Sequence, residues 1–300
     1  MLRADENTRR RMIVLFAVLG LFLGGTMLGG IAQRLGLTQK EEPPLSLAEI
    51  KAQHERIVQE ARERRAFAQE MTALGQKERW EEAASTATKR LDRRHGDPFL
   101  LALRGEARFW AGQRSEAAHD FADVLQTGDP VSQADLLVLQ GDTNGYRRVC
   151  EQTLAKTEVD TASALDSNNA AWVTSLGPDG LADYAPAVRL AEKGVAGARP
   201  EEKATYLNTL GGVLYRAGRD AEAIKVLEQT ERLESEPFNW AFLALAHSRL
   251  GHAGDAKKWR DRLHQRLLET FATNQQQQSR HELLFLWAEV AQTVLTSHAK

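Results

Sequence analysis

The sequence predicts an all-α fold: an α-solenoid of stacked helical hairpins that follows an N-terminal transmembrane helix. Three observations support this prediction. The 300 residues include only 22 glycines and 8 prolines, few for an all-β protein, which favours long helices. A phrase built around glycine and closed by alanine occurs three times, as FWAGQRSEA at 109–117, YRAGRDAEA at 215–223 and SRLGHAGDA at 248–256. An uncharged apolar run of 21 residues stands near the N-terminus.

Composition narrows the function classes. The 39 Lys and Arg residues nearly balance the 41 Asp and Glu residues, so no global field favours nucleic acid and no nucleic-acid partner is expected. A hydrophobic content of 42% is enough for a sizeable core. Cys150 is the only cysteine, which excludes an intrachain disulfide and a cysteine-based zinc site.

The apolar run from Met12 to Ala32 is long enough to cross a hydrocarbon core about 30 Å thick. Positive charges are denser before it than after it, which predicts a cytoplasmic tail at 1–11, a transmembrane helix at 12–32 and a remainder outside the cytoplasm. The preceding charges are Arg3, Arg9, Arg10 and Arg11, and the nearest following ones are Arg34 and Lys40.

Two further interpretations of this segment stay open. Gly30-Ile31-Ala32 has the small-x-small form of a signal-peptide cleavage site, which would release a soluble exported protein. The patterns Gly20-x-x-x-Gly24 and Gly25-x-x-x-Gly29 allow two such helices to approach closely. A homodimer through the membrane helix is therefore one arrangement open to the chain.

Residues 33–63 are predicted to form a linker and a stalk or capping helix. The polar stretch TQKEEPP ends at Pro44, and Ser46-x-x-Glu49 has the form of a capping box, which predicts a helix start. Either a solvated stalk or a dimerising coiled coil fits the weak apolar seam that follows, in steps of three and four residues, at Leu47, Ile50, His54, Ile57, Ala61, Ala68 and Met71.

The alanine that closes each phrase recurs with a solenoid period. From Ala83 to Ala117 is 34 residues, from Ala187 to Ala223 is 36, and from Ala223 to Ala256 is 33. The 70 residues between Ala117 and Ala187 leave room for one divergent repeat, around 132–167. Periods of this length indicate stacked helical units, here over residues 64–270 and about six hairpins.

The pattern resembles the tetratricopeptide repeat (TPR) family, whose 34-residue unit is a helix-turn-helix. Large, small and turn positions of that unit are matched at Leu207, Leu210, Gly211, Leu214, Gly218, Ala223 and Leu227, then at Trp240, Leu243, Ala244, Gly251, Ala256 and Leu263, and earlier at Leu101, Gly105, Gly112, Ala117 and Phe121. Glu70, Arg104 and Arg108 depart from it, because the family prefers apolar residues there.

A second resemblance concerns the order of the strings GDTNGYRRVCEQTL, AAWVTSLGPDG and YLNTLGGVLYRAGR. It is similar to the repeat regions that follow serine/threonine kinase domains in some large bacterial proteins. The chain lacks the kinase signatures themselves, since Asp120-Phe121-Ala122 has no glycine in the third position. The resemblance implies a bacterial relative of those regulatory repeat regions with an interaction role, whereas the membrane anchor is predicted from the apolar run at 12–32.

Motifs for chemistry are weak. His54-Glu55 lacks the second histidine of a zinc protease motif, and His247 and His252, five residues apart, are not expected on one helical face. The segment Asp142–Gly145 lacks the final acidic ligand of a calcium loop. We therefore expect no catalytic residue, no cofactor and no metal, and a non-enzymatic protein.

Binding residues follow from the TPR resemblance, because in that family the first helix of each repeat lines a concave groove. Arg216 and Arg249 occupy the same repeat position and, with Asn208, are predicted to clamp a carboxylate such as a peptide C-terminus. The full set of predicted partner-binding residues is Asn208, Tyr215, Arg216, Leu245, Ser248, Arg249, Glu106, Phe109 and Trp110.

Residues 271–300 are predicted to hold a polar loop, ATNQQQQS from Ala272, and a C-terminal capping helix. One apolar stripe at helical spacing suits the exposed face of the last repeat; it comprises Leu283, Leu284, Leu286, Trp287, Val290, Ala291, Val294 and Leu295.

The functional expectation is a scaffold or adaptor, anchored in a bacterial inner membrane with its repeats in the periplasm, which binds a protein or peptide partner through the groove. Two alternatives stay open. One is a regulatory or assembly subunit of a membrane or envelope enzyme complex, and the other is an enzyme whose site assembles only in three dimensions.

Overall fold

The computed structural model describes residues 46–125, 128–272 and 277–296, and within them it contains thirteen α-helices and no strand. Residues from Ala61 onward form one compact unit, and those up to Glu60 belong to a second. The helices are α1 (Leu47–Gln76), α2 (Trp80–Leu91), α3 (Pro98–Trp110), α4 (Arg114–Val124), α5 (Pro130–Gln140), α6 (Thr143–Lys156), α7 (Ala164–Ser175), α8 (Ala185–Gly197), α9 (Lys203–Arg216), α10 (Asp220–Leu233), α11 (Pro237–Arg249), α12 (Ala253–Thr270) and α13 (Gln277–Thr296).

Consecutive helices from α1 to α12 pair as six hairpins, and four of these close with the same turn. Gly112, Gly141, Gly218 and Gly251 all have φ between 72° and 78°, a left-handed conformation that glycine adopts without steric cost. In each case the next residue donates its amide N–H to a carbonyl five residues back, at 2.8–2.9 Å, the closure expected where a helix ends at a left-handed residue. The repeated phrase is thus a helix-terminating turn, and the prediction of an all-α fold of stacked helices is confirmed.

The segment predicted to be divergent contains the hairpin α5–α6, closed at Gly141. Only the hairpin α7–α8 among the described ones has a long connection, residues 176–184. Tyr146 of α6 holds the start of that connection, since its hydroxyl donates to the Val173 carbonyl at 2.9 Å and accepts from the Gly177 amide at 3.0 Å.

Small residues let the helices of a hairpin approach closely. Ala117, Ala223 and Ala256 are almost completely buried. A Cβ atom added at Gly211 would lie 2.4 Å from the Leu227 Cδ2 atom. Helices α9 and α10 therefore contact each other where glycine provides no side chain.

The arginines that depart from the TPR pattern have an electrostatic role. Arg104 contacts the Asp120 carboxylate through Nε at 3.0 Å and Nη2 at 2.6 Å, and Arg108 contacts it through Nη1 at 2.7 Å. The Asp120 side chain is fully buried. Two charged residues on α3 therefore replace apolar contacts with a three-residue ion cluster across to α4.

The predicted helix start after the linker is confirmed. Ser46 Oγ accepts from the Glu49 amide at 3.2 Å, and Glu49 Oε2 accepts from the Ser46 hydroxyl at 2.8 Å and from the Ser46 amide at 2.7 Å. The bond from the hydroxyl, and then the bond from the amide, lower the pKa of the Glu49 carboxyl. No helix among the described residues has the length and apolar character needed to cross a membrane. The predicted tail 1–11 and span 12–32, with its glycine pairs and cleavage site, lie outside the described residues.

Candidate helix-binding groove

The C-terminal helix α13 is surrounded by the hairpins instead of lying on the surface of one of them. Five consecutive residues, Leu283–Trp287, are all at most 9% exposed. Since successive residues of a helix point about 100° apart, such a run has neighbours on every side. We call the surface that receives α13 the groove. It is formed chiefly by Glu106, Trp110, Phe121, Trp172, Tyr215, Arg216 and His264.

The first turn of α13 docks through a buried ion pair. Arg280 donates from Nε to Glu106 Oε2 at 2.8 Å and from Nη2 to the Leu267 carbonyl at 2.9 Å. The neighbouring His281 ring packs edge-on against Phe121, with 4.6 Å between ring centroids. Burial, and then the charge of Arg280, lower the pKa of His281 to about 4, so this imidazole is neutral near pH 7.

The Glu282 side chain makes the next polar contact. Its Oε2 accepts a hydrogen bond of 2.6 Å from Trp172 Nε1 on α7. Burial raises the pKa of the Glu282 carboxyl to about 7, although the bond from Trp172 opposes that shift. Asp135 on α5 is also buried, and burial together with the charge of Glu282 raises its pKa well above its usual value. Both carboxyl groups are therefore shielded from water, and the charge of Glu282 acts on Asp135 where α13 packs near α5.

Two residues after the end of the buried run, Glu289 is held by Arg216. The guanidinium Nη1 and Nη2 contact Glu289 Oε1 and Oε2 at 2.6 and 2.7 Å, the parallel pairing that makes Arg–carboxylate contacts strong and directional. Tyr215 also donates its hydroxyl to Glu289 Oε1 at 3.2 Å, and Arg216 Nε donates to the Ser175 carbonyl at 2.8 Å. The Arg216 side chain is only 3% exposed.

Aromatic rings fill the space between these polar contacts. Trp287 stacks on His264 of α12, with centroids 4.8 Å apart and planes 6° from parallel. Trp110 lies 5.8 Å from Trp287 and stacks on Trp80 at 5.3 Å. These rings continue the apolar core from α2 to α13.

A polar cavity of about 620 Å³ opens beside the Arg216–Glu289 pair. Its wall includes Tyr184 and Arg249. Arg249 is 40% exposed and lies 3.2 Å from Asp220 Oδ1. Its guanidinium carbon stands 3.9 Å above the Tyr215 ring, and Nη1 donates to the Tyr215 carbonyl at 2.9 Å. The cavity is therefore the part of the groove's end that α13 leaves open.

The predicted partner-binding residues fall into two groups. Glu106, Trp110, Tyr215 and Arg216 all contact α13, and Arg249 lies at the edge of the groove. The others lie elsewhere: Asn208 is buried and donates to Asn239 Oδ1 at 2.7 Å, Leu245 is fully buried, Phe109 packs beside Trp110, and Ser248 is half-buried at the end of α11. Arg216 does bind a carboxylate, that of Glu289, without Asn208. Their binding of an external partner stays a prediction.

Sequence reasoning missed Trp172, Glu282 and Glu289. A signal existed for the glutamates: they interrupt an apolar helix seven residues apart, a spacing of two turns that places both on one face. For Trp172 no local pattern distinguishes a tryptophan that donates to a ligand from one that fills a core.

His247 and His252 do not share a helical face, as expected, because His252 follows the end of α11, yet the turn brings their rings together. Their Nδ1 atoms lie 3.1 Å apart, because Gly251 ends α11 and turns the chain back, so the two rings are not governed by the spacing of a single helix. Among the described residues no group of three or more His, Cys, Asp and Glu side chains is placed to hold a metal ion.

Comparison with known proteins adds no family to this geometry. The chain matches no known protein family, and no curated protein resembles it significantly. What stands is the architecture itself, an all-α solenoid of helical hairpins whose groove holds the last described helix.

Proposed function

We propose that this chain is a TPR-like scaffold or adaptor that binds a protein partner through the groove. One observation carries the proposal. The groove binds a helix through directional hydrogen bonds, which the Arg216 guanidinium, the Tyr215 hydroxyl and the Trp172 indole N–H donate. Oriented polar groups placed between apolar ones are also how protein interfaces recognise a partner segment, and this likeness supports the proposal.

The remaining parts of the proposal rest on the sequence. The apolar run at 12–32 anchors the chain in a bacterial inner membrane with residues 1–11 in the cytoplasm, and the repeats face the periplasm. No catalytic role is part of the proposal. The partner is a protein or peptide that shares this compartment.

Proximity labelling in intact cells tests the proposal, with a labelling enzyme fused after Lys300. The variant Arg249→Glu reverses a half-exposed charge at the edge of the groove. The control Arg199→Glu reverses a more exposed arginine, 68% accessible, in the connection between α8 and α9. We expect a small set of periplasmic proteins whose labelling falls at least about fivefold in Arg249→Glu, because one charge-assisted contact contributes about 1.5–3 kcal/mol, and stays unchanged in the control.

Two results would contradict the proposal. Labelling confined to cytoplasmic proteins would overturn the membrane topology. An identical partner set in both variants and the native chain would overturn the assignment of the groove as the binding surface.

A further inference from the structure

The polar contacts of α13 form a pattern that an external ligand can copy. Glu282 and Glu289 are seven residues apart, which places them on one face of the helix about 10 Å apart along its axis. The groove meets the first with the Trp172 indole N–H and the second with Arg216 and Tyr215. Donors on α7 and α9 therefore meet two acidic side chains of a single helix, and Arg216 pairs with the second as a carboxylate.

These contacts are poorly explained by stability alone. An ion pair buried from water gains little over an apolar pair of similar volume, since the loss of hydration offsets the attraction. Buried charges do fix register, because a helix shifted by one turn would leave Arg216, whose side chain is 3% exposed, unpaired in the interior. The groove is therefore selective for a helix with this spacing.

The ends of the ligand pattern are also defined. Arg280, two residues before Glu282, binds Glu106, so a positive charge precedes the two carboxylates. Between them the apolar residues Leu283–Trp287 fill the interior. The required partner segment is thus about three turns long, apolar on all sides in its middle, basic at its first position and acidic two and nine residues later.

We infer that α13 is the internal copy of a partner helix: the groove binds proteins that present a largely apolar helix with two acidic side chains seven residues apart, and such a helix displaces α13. This inference rests on the proposed function and specifies its partner. The tether between α12 and α13 keeps the internal helix at an effective concentration on the order of millimolar. Partner binding is consequently weak until the packing of α13 in the groove is weakened or a partner helix outcompetes α13.

A binding assay with the full chain tests the inference. The probe is a fluorescent peptide of residues 277–296, in native form and with both glutamates, Glu282 and Glu289, changed to glutamine. It is titrated by anisotropy against the native protein, against the variant Glu282→Gln/Glu289→Gln, and against the control Glu222→Gln, which alters an exposed carboxylate on α10 that pairs with Arg219.

We expect the double variant to bind the native peptide with a Kd at least about tenfold below that of the native protein, because its own helix competes less well while its groove is unchanged. The glutamine peptide should bind the double variant at least about tenfold more weakly than the native peptide does. The control should match the native protein. Equal affinity of the two peptides, or no gain in the double variant, overturns the inference.

Circular dichroism establishes that each variant is folded. If the double variant is not, the single variant Glu289→Gln, which keeps an oxygen that can accept from Arg216, replaces it with the same expected order of affinities. In addition, excess native peptide should speed hydrogen exchange of α13 amides in the native protein, and absence of that effect counts against displacement.

The two proposals fail separately. A periplasmic partner set that depends on Arg249, together with equal binding of both peptides, would leave the scaffold function standing and reject the helix pattern. Selective peptide binding without any partner in cells would reject the scaffold function and leave the groove's selectivity.

Discussion

At the scale of residues, the titratable groups of α13 are the most distinctive feature of the molecule. Glu282 carries a pKa raised by burial to about 7, and His281 next to it carries a pKa lowered by burial to about 4. Among the described residues the His281 Nδ1 atom has no hydrogen-bond partner. Both groups are thus held in their neutral forms by the folded protein at mildly acidic pH.

Opposite trends of stability with pH follow from these two shifts. The folded state holds a proton on Glu282 that the unfolded chain loses above its ordinary pKa of 4.5, so this group's contribution declines as pH rises from 4.5 through about 7. The unfolded chain protonates His281 below its ordinary pKa of 6.5, so that contribution declines as pH falls from 6.5 to about 4. The two trends oppose each other between 4.5 and 6.5.

We predict that Glu282→Gln flattens the neutral side of the stability profile. Urea unfolding measured between about pH 5 and about pH 8 should show a smaller decline in the free energy of unfolding for this variant than for the native protein. The variant His281→Phe should keep the neutral-side decline and extend it to lower pH, because the opposing trend of His281 between pH 4.5 and 6.5 is removed. Parallel profiles for all three proteins would show that neither Glu282 nor His281 contributes to the pH dependence of the free energy of unfolding.

A second residue-scale prediction concerns the ion cluster between α3 and α4. Asp120→Ala leaves Arg104 and Arg108 without their shared carboxylate, and we expect a loss of about 2–4 kcal/mol in the free energy of unfolding. The control Asp123→Ala, at an exposed position of the same helix, should change stability by less than about 0.5 kcal/mol. Similar losses in the two variants would mean that the cluster contributes nothing specific.

At the scale of elements, the hairpins are set by where glycine permits a left-handed turn and where a missing side chain permits contact. Gly211 belongs to the second kind, because its helix packs directly on Leu227. Gly254, in the first turn of α12, has no neighbouring atom within 4 Å of an added Cβ. The two glycines are both helical and differ only in their surroundings.

We predict that this difference decides the sign of a glycine-to-alanine change. Gly211→Ala should destabilise the protein by about 1–3 kcal/mol through overpacking against Leu227. Gly254→Ala should stabilise it by up to about 1 kcal/mol, since alanine restricts the unfolded chain without a clash. Thermal and urea denaturation measure both changes, and a loss of stability in Gly254→Ala would contradict this account.

The turns and small positions were predictable because their physical causes are local. Gly112, Gly218 and Gly251 carry the turn wherever the phrase occurs, and Gly141 shows that the turn survives where the rest of the phrase does not. The position of α13 was not predictable. Its apolar residues require burial, but a sequence does not state which distant surface supplies it. Glu106 and Arg280 form an ion pair although 174 residues separate them in the sequence. No local pattern near either residue predicts the pair.

At the scale of the whole molecule, α13 changes how the solenoid holds together. In a plain solenoid each repeat contacts only its neighbours, so stability is nearly a sum of local terms. Here one helix touches α3, α4, α7, α9 and α12. The hairpins of the described compact unit are thereby coupled across its length.

We predict that this coupling is visible in native-state hydrogen exchange. In the native protein the amides of α3–α4 and α11–α12 should lose protection at the same urea concentration. In Glu106→Ala/Arg280→Ala, which removes both the ion pair and the packing of its side chains without leaving one charge buried, α3–α4 should open first. The control Arg219→Ala/Glu222→Ala removes an exposed pair at the start of α10 and should leave the transitions together. Coincident transitions in all three proteins would contradict the coupling.

The position of α13 in the chain also fixes when the groove is filled during synthesis. Each hairpin closes from residues near in sequence, whereas α13 is made after every other described helix and must then reach back to Glu106, 174 residues earlier. A ribosome adds about 5–20 residues per second, so the groove of a nascent chain is lined but empty for an interval on the order of seconds. A partner helix present at that moment meets the groove before its internal competitor exists.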